Sequence, residues 1–214
     1  GTLVPPVGYL KRLREICDDH GILLVFDEVI TGFGRTGKGF ASETYGVTPD
    51  IITMAKALTN GAIPMGAVAV KDEIYDTITN ASPENAIEFF HGYTYSAHPA
   101  ACAAGIATQK IYEEEGLFNR AADMSDYFLD AVWSLKDHPL VKDLRGYGMM
   151  AGVELHHDGV GGRRGTQMQK DMFWNGLHVK FTGDNGILAP AFVAERSHID
   201  EIIDKFRKTL DAHV

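Results

Sequence analysis

The sequence has 214 residues and a mass of 23.4 kDa, with 45% hydrophobic and 23% charged residues, the make-up of an ordinary globular chain. Twenty Lys and Arg against 29 Asp and Glu leave a formal charge of −9, which argues against nucleic acid as the main partner, since phosphate binding needs a basic footprint. No apolar run approaches the ~18 residues of a bilayer span, so no membrane association is expected. Two cysteines, Cys17 and Cys102, give neither a disulfide framework nor a zinc cluster and point to a reducing, cytoplasmic setting.

Gly1 to Pro6 has no initiator Met and no signal-peptide pattern, and reads as the interior of a longer chain. From Gly8 to His20, Leu10, Leu13, Ile16 and Cys17 share one side of a helical wheel, with Gly21 placed to end the helix. Ile22 to Phe26 is a continuous apolar run, the pattern of a strand buried on both faces. Asp27-Glu28 follows where such a strand emerges at its C-terminal edge, the edge at which α/β sheets bind ligands. Thr31 to Phe40 carries four glycines and must be a loop. Asp50–Met54 and Gly66–Val70 read as two further buried strands. Pro99 opens an alanine-rich helix that runs to Glu113-Glu114-Glu115 and stops at Gly116. A second helix covers Ala121–Leu135.

Beyond it, short strands (Val141–Arg145, Met150–Leu155, Leu177–Phe181) alternate with helices, and Gly159–Gly165 reads as a loop. Ser197 and Asp200 resemble a capping box for a last helix with Ile199, Ile202, Ile203, Phe206 and Leu210 on one face. The expected organisation is a parallel α/β region up to the alanine-rich helix and a smaller α+β region after it.

Two chemistries compete for residues 22–39. Gly32 to Lys38 fits the G-x-x-x-x-G-K skeleton of a nucleotide phosphate loop. Position 39 is Gly, however, so the hydroxyl needed on Mg²⁺ is missing, and the acidic strand precedes the glycines by too few residues. The other reading pairs Asp27 with Lys56, each just past a buried strand. A lysine in an apolar pocket sheds ammonium hydration and attacks carbonyls, and a facing carboxylate can hold a protonated pyridine nitrogen. That pair is what pyridoxal 5′-phosphate chemistry requires. On spacing alone, Asp27 could equally cap a turn and Lys56 snorkel at the surface.

Three ordered stretches decide between these readings. Val25-Phe26-Asp27-Glu28-Val29-Ile30-Thr31-Gly32-Phe33-Gly34-Arg35-Thr36-Gly37 resembles the signature of class III (omega) aminotransferases. Pro49 to Gly61 is similar to that family's lysine segment, and His91-Gly92-Tyr93-Thr94-Tyr95-Ser96-Ala97-His98-Pro99 resembles its HGYTYSAHP stretch. The last of these, together with Asn60 to Ala67, points to the β-alanine:pyruvate branch, and the likeness runs the length of the chain.

The resemblance implies a fold-type-I pyridoxal-phosphate transferase, α/β in class. Residues 1–112 would be the C-terminal part of the large mixed or parallel-sheet domain, and residues 113–214 the small α+β domain. It implies that Lys56 binds the cofactor as a Schiff base and shuttles protons, and that Asp27 pairs with the pyridinium nitrogen. Val29 would pack on a ring face, and Thr94 would bond the cofactor phosphate of a neighbouring subunit. The active site would then belong to a homodimer or higher oligomer. The reaction would pass an amino group from an omega-amino acid or amine to pyruvate or a similar oxo acid. An aminomutase or decarboxylase of the same fold, or a non-catalytic dimerising fragment, are the alternatives.

Where the family has a substrate-gripping arginine the sequence has Lys180, a point charge in place of a planar fork. The family's phosphate loop and ring-stacking aromatic lie in an N-terminal half not found here, so the 214 residues alone are expected to lack activity. His156-His157-Asp158 is not expected to bind metal, because adjacent strand residues point to opposite faces. His98 is expected to position the alanine-rich helix, Trp133 and Trp174 to fill cores, and Arg35 to bind an anion or pin its loop.

Overall fold

Leu10, Leu13, Ile16 and Cys17 do form one side of a helix, α1 (Tyr9–His20), closed by Gly21 in the left-handed conformation at φ 62°. The computed structural model describes every residue except Glu88, Phe90 and Tyr93. The chain falls into two compact units. A three-stranded unit comprises Val7–Phe33 and Lys38–Gly116, and a four-stranded unit comprises Gly1–Pro6, Gly34–Gly37 and Leu117–Val214.

In the three-stranded unit, β1 (Val25–Asp27) runs parallel to β2 (Ile51–Met54), and β2 pairs antiparallel with β3 (Ala67–Val70). The expected two-sided burial of these strands is not observed. Ile22, Leu23, Val25, Val68 and Val70 are exposed, Ile22 by 54%. The buried cluster is small: Cys17, Leu24 and Val47, with Leu10 and Phe26 against it. A continuous apolar run records that a strand is built to be covered, and within this chain α1 covers only a portion of it. The unit also holds α2 (Ala41–Tyr45), α3 (Asp72–Asn80) and α4 (Pro99–Glu114). The buried stripe of α4 runs from the small residues Ala101, Gly105 and Thr108 to the large Tyr112, while Ile106 stays exposed.

Asp50 ties this unit together. Its nearly buried carboxylate accepts the Leu24 N–H (2.7 Å) and forms ion pairs with Arg14 (2.7 Å) and Lys71 (2.7 Å), joining α1 to the start of β2 and the end of β3. Lys71, the Leu24 N–H and Arg14 hold its pKa well below the ordinary carboxylate value. Because the folded-state pKa is the lower one, this stabilisation is in force at neutral pH and is lost as pH falls below the ordinary carboxylate range. Asp50→Ala leaves Lys71 and the buried Leu24 N–H without their partner and Arg14 with Asp18 alone, and is expected to cost on the order of 3 kcal/mol. It should also flatten the acid limb of a stability–pH curve measured by denaturation. An acid limb identical to that of the unmodified chain would count against this role.

The four-stranded unit has the larger core. Its helices are α5 (Leu117–Trp133), α6 (Arg163–Trp174) and α7 (Arg196–Asp211), and its sheet is β4 (Val141–Tyr147), β5 (Met150–Leu155), β6 (Lys180–Thr182) and β7 (Asn185–Leu188), antiparallel in the order β4-β5-β7-β6. Phe128 from α5, Met168 and Met172 from α6, and Ile199, Phe206 and Leu210 from α7 pack on Ala151 and Val153 of β5. Trp133 and Trp174 do not fill cores: Trp174 is 82% exposed and Trp133 is also at the surface. Phe128 and Phe206, on the apolar stripes of their helices, occupy the interior instead.

Three further boundaries differ from expectation. Leu177 and Val179 are buried, but the strand begins only at Lys180. Arg163 and Arg164 belong to the first turn of α6 rather than to the preceding loop. The N-cap of α7 is Glu195, whose N–H donates to His198 Nδ1 (3.0 Å), so Ser197 and Asp200 lie already inside the helix. Asp184, in the β6–β7 turn, caps α6 from outside its own chain segment. Its two oxygens accept the Gly162 N–H (2.8 Å) and the Gly165 N–H (2.9 Å), where the positive end of the helix favours a carboxylate. Among the described residues no helix is long and apolar enough to cross a membrane, and no group of three or more His, Cys, Asp or Glu could hold a metal ion.

Candidate active site

Asp27 is the last residue of β1, and Thr53 sits opposite it on β2. Asp27 Oδ1 accepts the Val29 N–H (3.1 Å), which folds the chain back just past the strand, and the Thr53 hydroxyl (3.3 Å). Glu28 turns the other way and is 1% exposed. Its carboxylate accepts the Thr31 hydroxyl (2.6 Å) and the backbone N–H groups of Ala41 (2.9 Å) and Ser42 (2.7 Å). The buried acid therefore anchors the turn that carries Val29, which is half-buried, to the start of α2.

Lys56 lies two residues past β2, at the head of a 3₁₀ turn (Lys56–Leu58). Two side chains of α4 hold that turn: Tyr112 Oη donates to Ala57 O (2.8 Å) and Gln109 Nε2 to Leu58 O (3.3 Å). The buried Thr59 donates to Ile63 O (2.7 Å) and closes the turn behind it. Lys56 itself is at φ 47°, a left-handed conformation costing a residue with a Cβ about 1–2 kcal/mol. Lys56→Gly is accordingly expected to be about 1 kcal/mol more stable than Lys56→Ala in urea denaturation. The opposite order would show that the turn is unstrained.

Asp27 and Lys56 thus leave adjacent parallel strands at one sheet edge. Both are exposed, not enclosed in the apolar pocket expected from sequence, because the sheet face around them is itself uncovered. Among the described residues the Lys56 ammonium has no hydrogen bond or ion pair.

The glycine loop is not a phosphate cradle. Gly34–Gly37 packs within the four-stranded unit. There Arg35 donates to Met149 O (2.9 Å) and Pro190 O (2.8 Å), and its guanidinium lies 4.5 Å from the Phe192 ring centroid. Arg35 pins its own loop. Thr94 is exposed in the turn 94–97 that precedes α4, and Tyr93 of the same stretch lies outside the described residues. His98 is the N-cap residue of α4 but makes no side-chain cap. Lys180 opens β6 in the other unit and is exposed. Sequence reasoning missed Thr53, Gln109 and Tyr112. Tyr112 and Gln109 act from 55 and 51 residues away, and nothing local marks them.

The family profile described as aminotransferase class III matches residues 1–210. The chain belongs to the class III aminotransferase family. It is 51% identical over 211 residues to the omega-aminotransferase of Caulobacter vibrioides, covering 98% of this chain and 48% of that protein. It is 46% identical over 213 residues to the β-alanine–pyruvate aminotransferase of Pseudomonas aeruginosa, covering 99% and 48%. The crystal structure of an (S)-enantioselective omega-transaminase from Thermomicrobium roseum superposes with a TM-score of 0.92 at 37% identity, over 99% of this chain and 48% of that one. The chain spans about half the length of the curated relatives it matches. Its fold is that of the fold-type-I pyridoxal-phosphate transferases.

Proposed function

We propose that these residues carry the cofactor centre of an omega-amino acid:pyruvate aminotransferase that uses pyridoxal 5′-phosphate. One observation carries the reading: a carboxylate with one oxygen tied down and a lysine amine without a partner among the described residues leave adjacent parallel strands at one sheet edge. That donor set fits the cofactor, because an aldehyde needs an amine and a pyridinium needs a carboxylate. When bound, pyridoxal phosphate supplies an electron sink for the bond broken at the substrate's amino-bearing carbon. Lys56 Nζ would hold the cofactor's aldehyde and would move the proton that the reaction shifts. Asp27 would keep the ring nitrogen protonated, and Val29 would pack on the ring. Thr94 would help hold the cofactor phosphate of a partner subunit in a homodimer or higher oligomer. In this reading residues 1–112 belong to the large cofactor domain and 113–214 to the small one. The two free cysteines suit a cytoplasmic setting.

Lys180 is proposed to meet the substrate carboxylate. As a point charge it cannot make the two parallel hydrogen bonds of a guanidinium. Lys180→Arg is expected to lower KM for β-alanine several-fold, and unchanged KM and kcat/KM would remove Lys180 from the substrate site.

With both site residues exposed, the 214 residues by themselves are expected to turn over β-alanine and pyruvate poorly. The decisive experiment fuses the chain to the portion of the Caulobacter vibrioides relative that it does not match, then supplies β-alanine and pyruvate. Alanine and malonate semialdehyde are the expected products. Carbon dioxide or an isomer would instead indicate a decarboxylase or an aminomutase, and no product would leave a non-catalytic fragment. Robust turnover by the unfused chain would overturn the expectation that it lacks activity.

A further inference from the structure

We propose that Thr53 is a positioning residue that orients the Asp27 carboxylate toward the cofactor ring nitrogen, an inference resting on the role given to Asp27 above. Both donors to Asp27, the Val29 N–H and the Thr53 hydroxyl, reach the same oxygen, Oδ1. Two donors on one oxygen fix rotation about both side-chain bonds and leave Oδ2 to accept from a ligand. The two donors differ in origin. Val29 is two residues away, so its hydrogen bond is a local turn that only fixes the carboxylate against its own backbone. Thr53 is the cross-strand neighbour on β2, three residues before Lys56, so its hydroxyl refers the carboxylate to the strand that carries the lysine.

The backbone of Thr53 is held as well. Its carbonyl accepts the Glu28 N–H (2.9 Å), extending the β1–β2 ladder one residue past Asp27. Thr53 therefore grips two consecutive residues, one through its side chain and one through its main chain. Asp27 is exposed, so without the hydroxyl, water competes for Oδ1 and the side chain samples other rotamers. A β-branched residue also suits a strand for packing alone. Valine keeps that branching and loses only the hydroxyl, which makes it the discriminating substitution.

Three-bond couplings to Asp27 Cγ in the isotope-labelled 214-residue chain report its χ1 rotamer directly. One rotamer is expected in the unmodified chain, averaging in Thr53→Val, and restoration in Thr53→Ser. A single, unchanged rotamer in Thr53→Val would overturn the proposal. A companion measurement uses the fused enzyme described above and titrates pyridoxal 5′-phosphate against the unmodified, Thr53→Val and Asp27→Asn forms. Thr53→Val is expected to weaken cofactor binding about fivefold to tenfold, the scale of one hydrogen bond to a charged group, and Asp27→Asn by more. Unchanged affinity in Asp27→Asn would sink the reading of Asp27 itself. A weakened Asp27→Asn beside an unaffected Thr53→Val would sink only the role of Thr53.

Discussion

Lys56→Ala, in the fused enzyme, is expected to cut amino transfer by about 10⁴-fold or more, the scale of loss when a covalent catalytic group is removed. No neighbouring side chain can take its place, because the 3₁₀ turn that presents it is held at one height over the sheet edge by Tyr112 and Gln109. The next residues of the turn, Ala57 and Leu58, carry no amine. Borohydride reduction of the unmodified holoprotein followed by peptide mapping should place the cofactor on the peptide containing residue 56. An adduct on Lys38 or Lys71 in its stead would remove Lys56 from the mechanism, whatever the activity of the alanine variant. Fold stability should change little in this variant, since the Lys56 side chain is exposed, so lost activity cannot be put down to unfolding.

The second large effect is structural. A Cβ added at Gly165 would lie 1.9 Å from Gly183 O, 2.9 Å from Gly183 C and 3.0 Å from Asp184 Cα. All three atoms are backbone, so no side chain can swing aside. Relief requires the start of α6 to draw away from the β6–β7 turn, and that breaks the two hydrogen bonds to the Asp184 carboxylate. Alanine improves helix propensity by about 1 kcal/mol over glycine, which is small against overpacking together with the loss of charged hydrogen bonds. Gly165→Ala is expected to lower stability by about 3–5 kcal/mol in urea denaturation. Gly161 provides the control, because no atom of the described residues lies within 4 Å of a Cβ placed there; Gly161→Ala should stay within about 0.5 kcal/mol of the unmodified chain. A loss of less than about 1 kcal/mol at Gly165 would show that the turn yields.

What the sequence disclosed follows the range of each interaction. Helices α1, α4 and α7 were legible from their apolar spacing and from Gly21, Pro99 and Gly116, all signals within a few residues. Asp27 and Lys56 were legible as residues at strand ends, and the motifs then named their chemistry. Burial was not. The apolar run at Ile22–Phe26 led to a strand covered on both faces, yet Ile22, Leu23 and Val25 are exposed, because hydrophobicity states what a residue prefers and not what the chain supplies. Serine is the commoner cap, so Ser197 marks the start of α7 in the sequence, whereas the N-cap in the structure is Glu195. Strand β7 went unread although Gly183-Asp184 marks the hairpin turn before it. Thr53 was hidden for another reason: its partner is 26 residues away, and only the parallel register brings the two together.

Gly34–Gly37 belongs to a unit other than that of its sequence neighbours, and this limits how the polypeptide can be dissected. A recombinant piece beginning at Leu117 would hold every helix and strand of the four-stranded unit but would lack the guanidinium that donates to Met149 O and Pro190 O. It would also open the niche at Gly148, whose absent Cβ makes room for Arg35 O at 2.4 Å. Severing the chain at the α4–α5 junction therefore does not yield a pair of self-sufficient bodies, and completing the downstream one would take both residues 1–6 and a peptide spanning residues 31–40 added in trans.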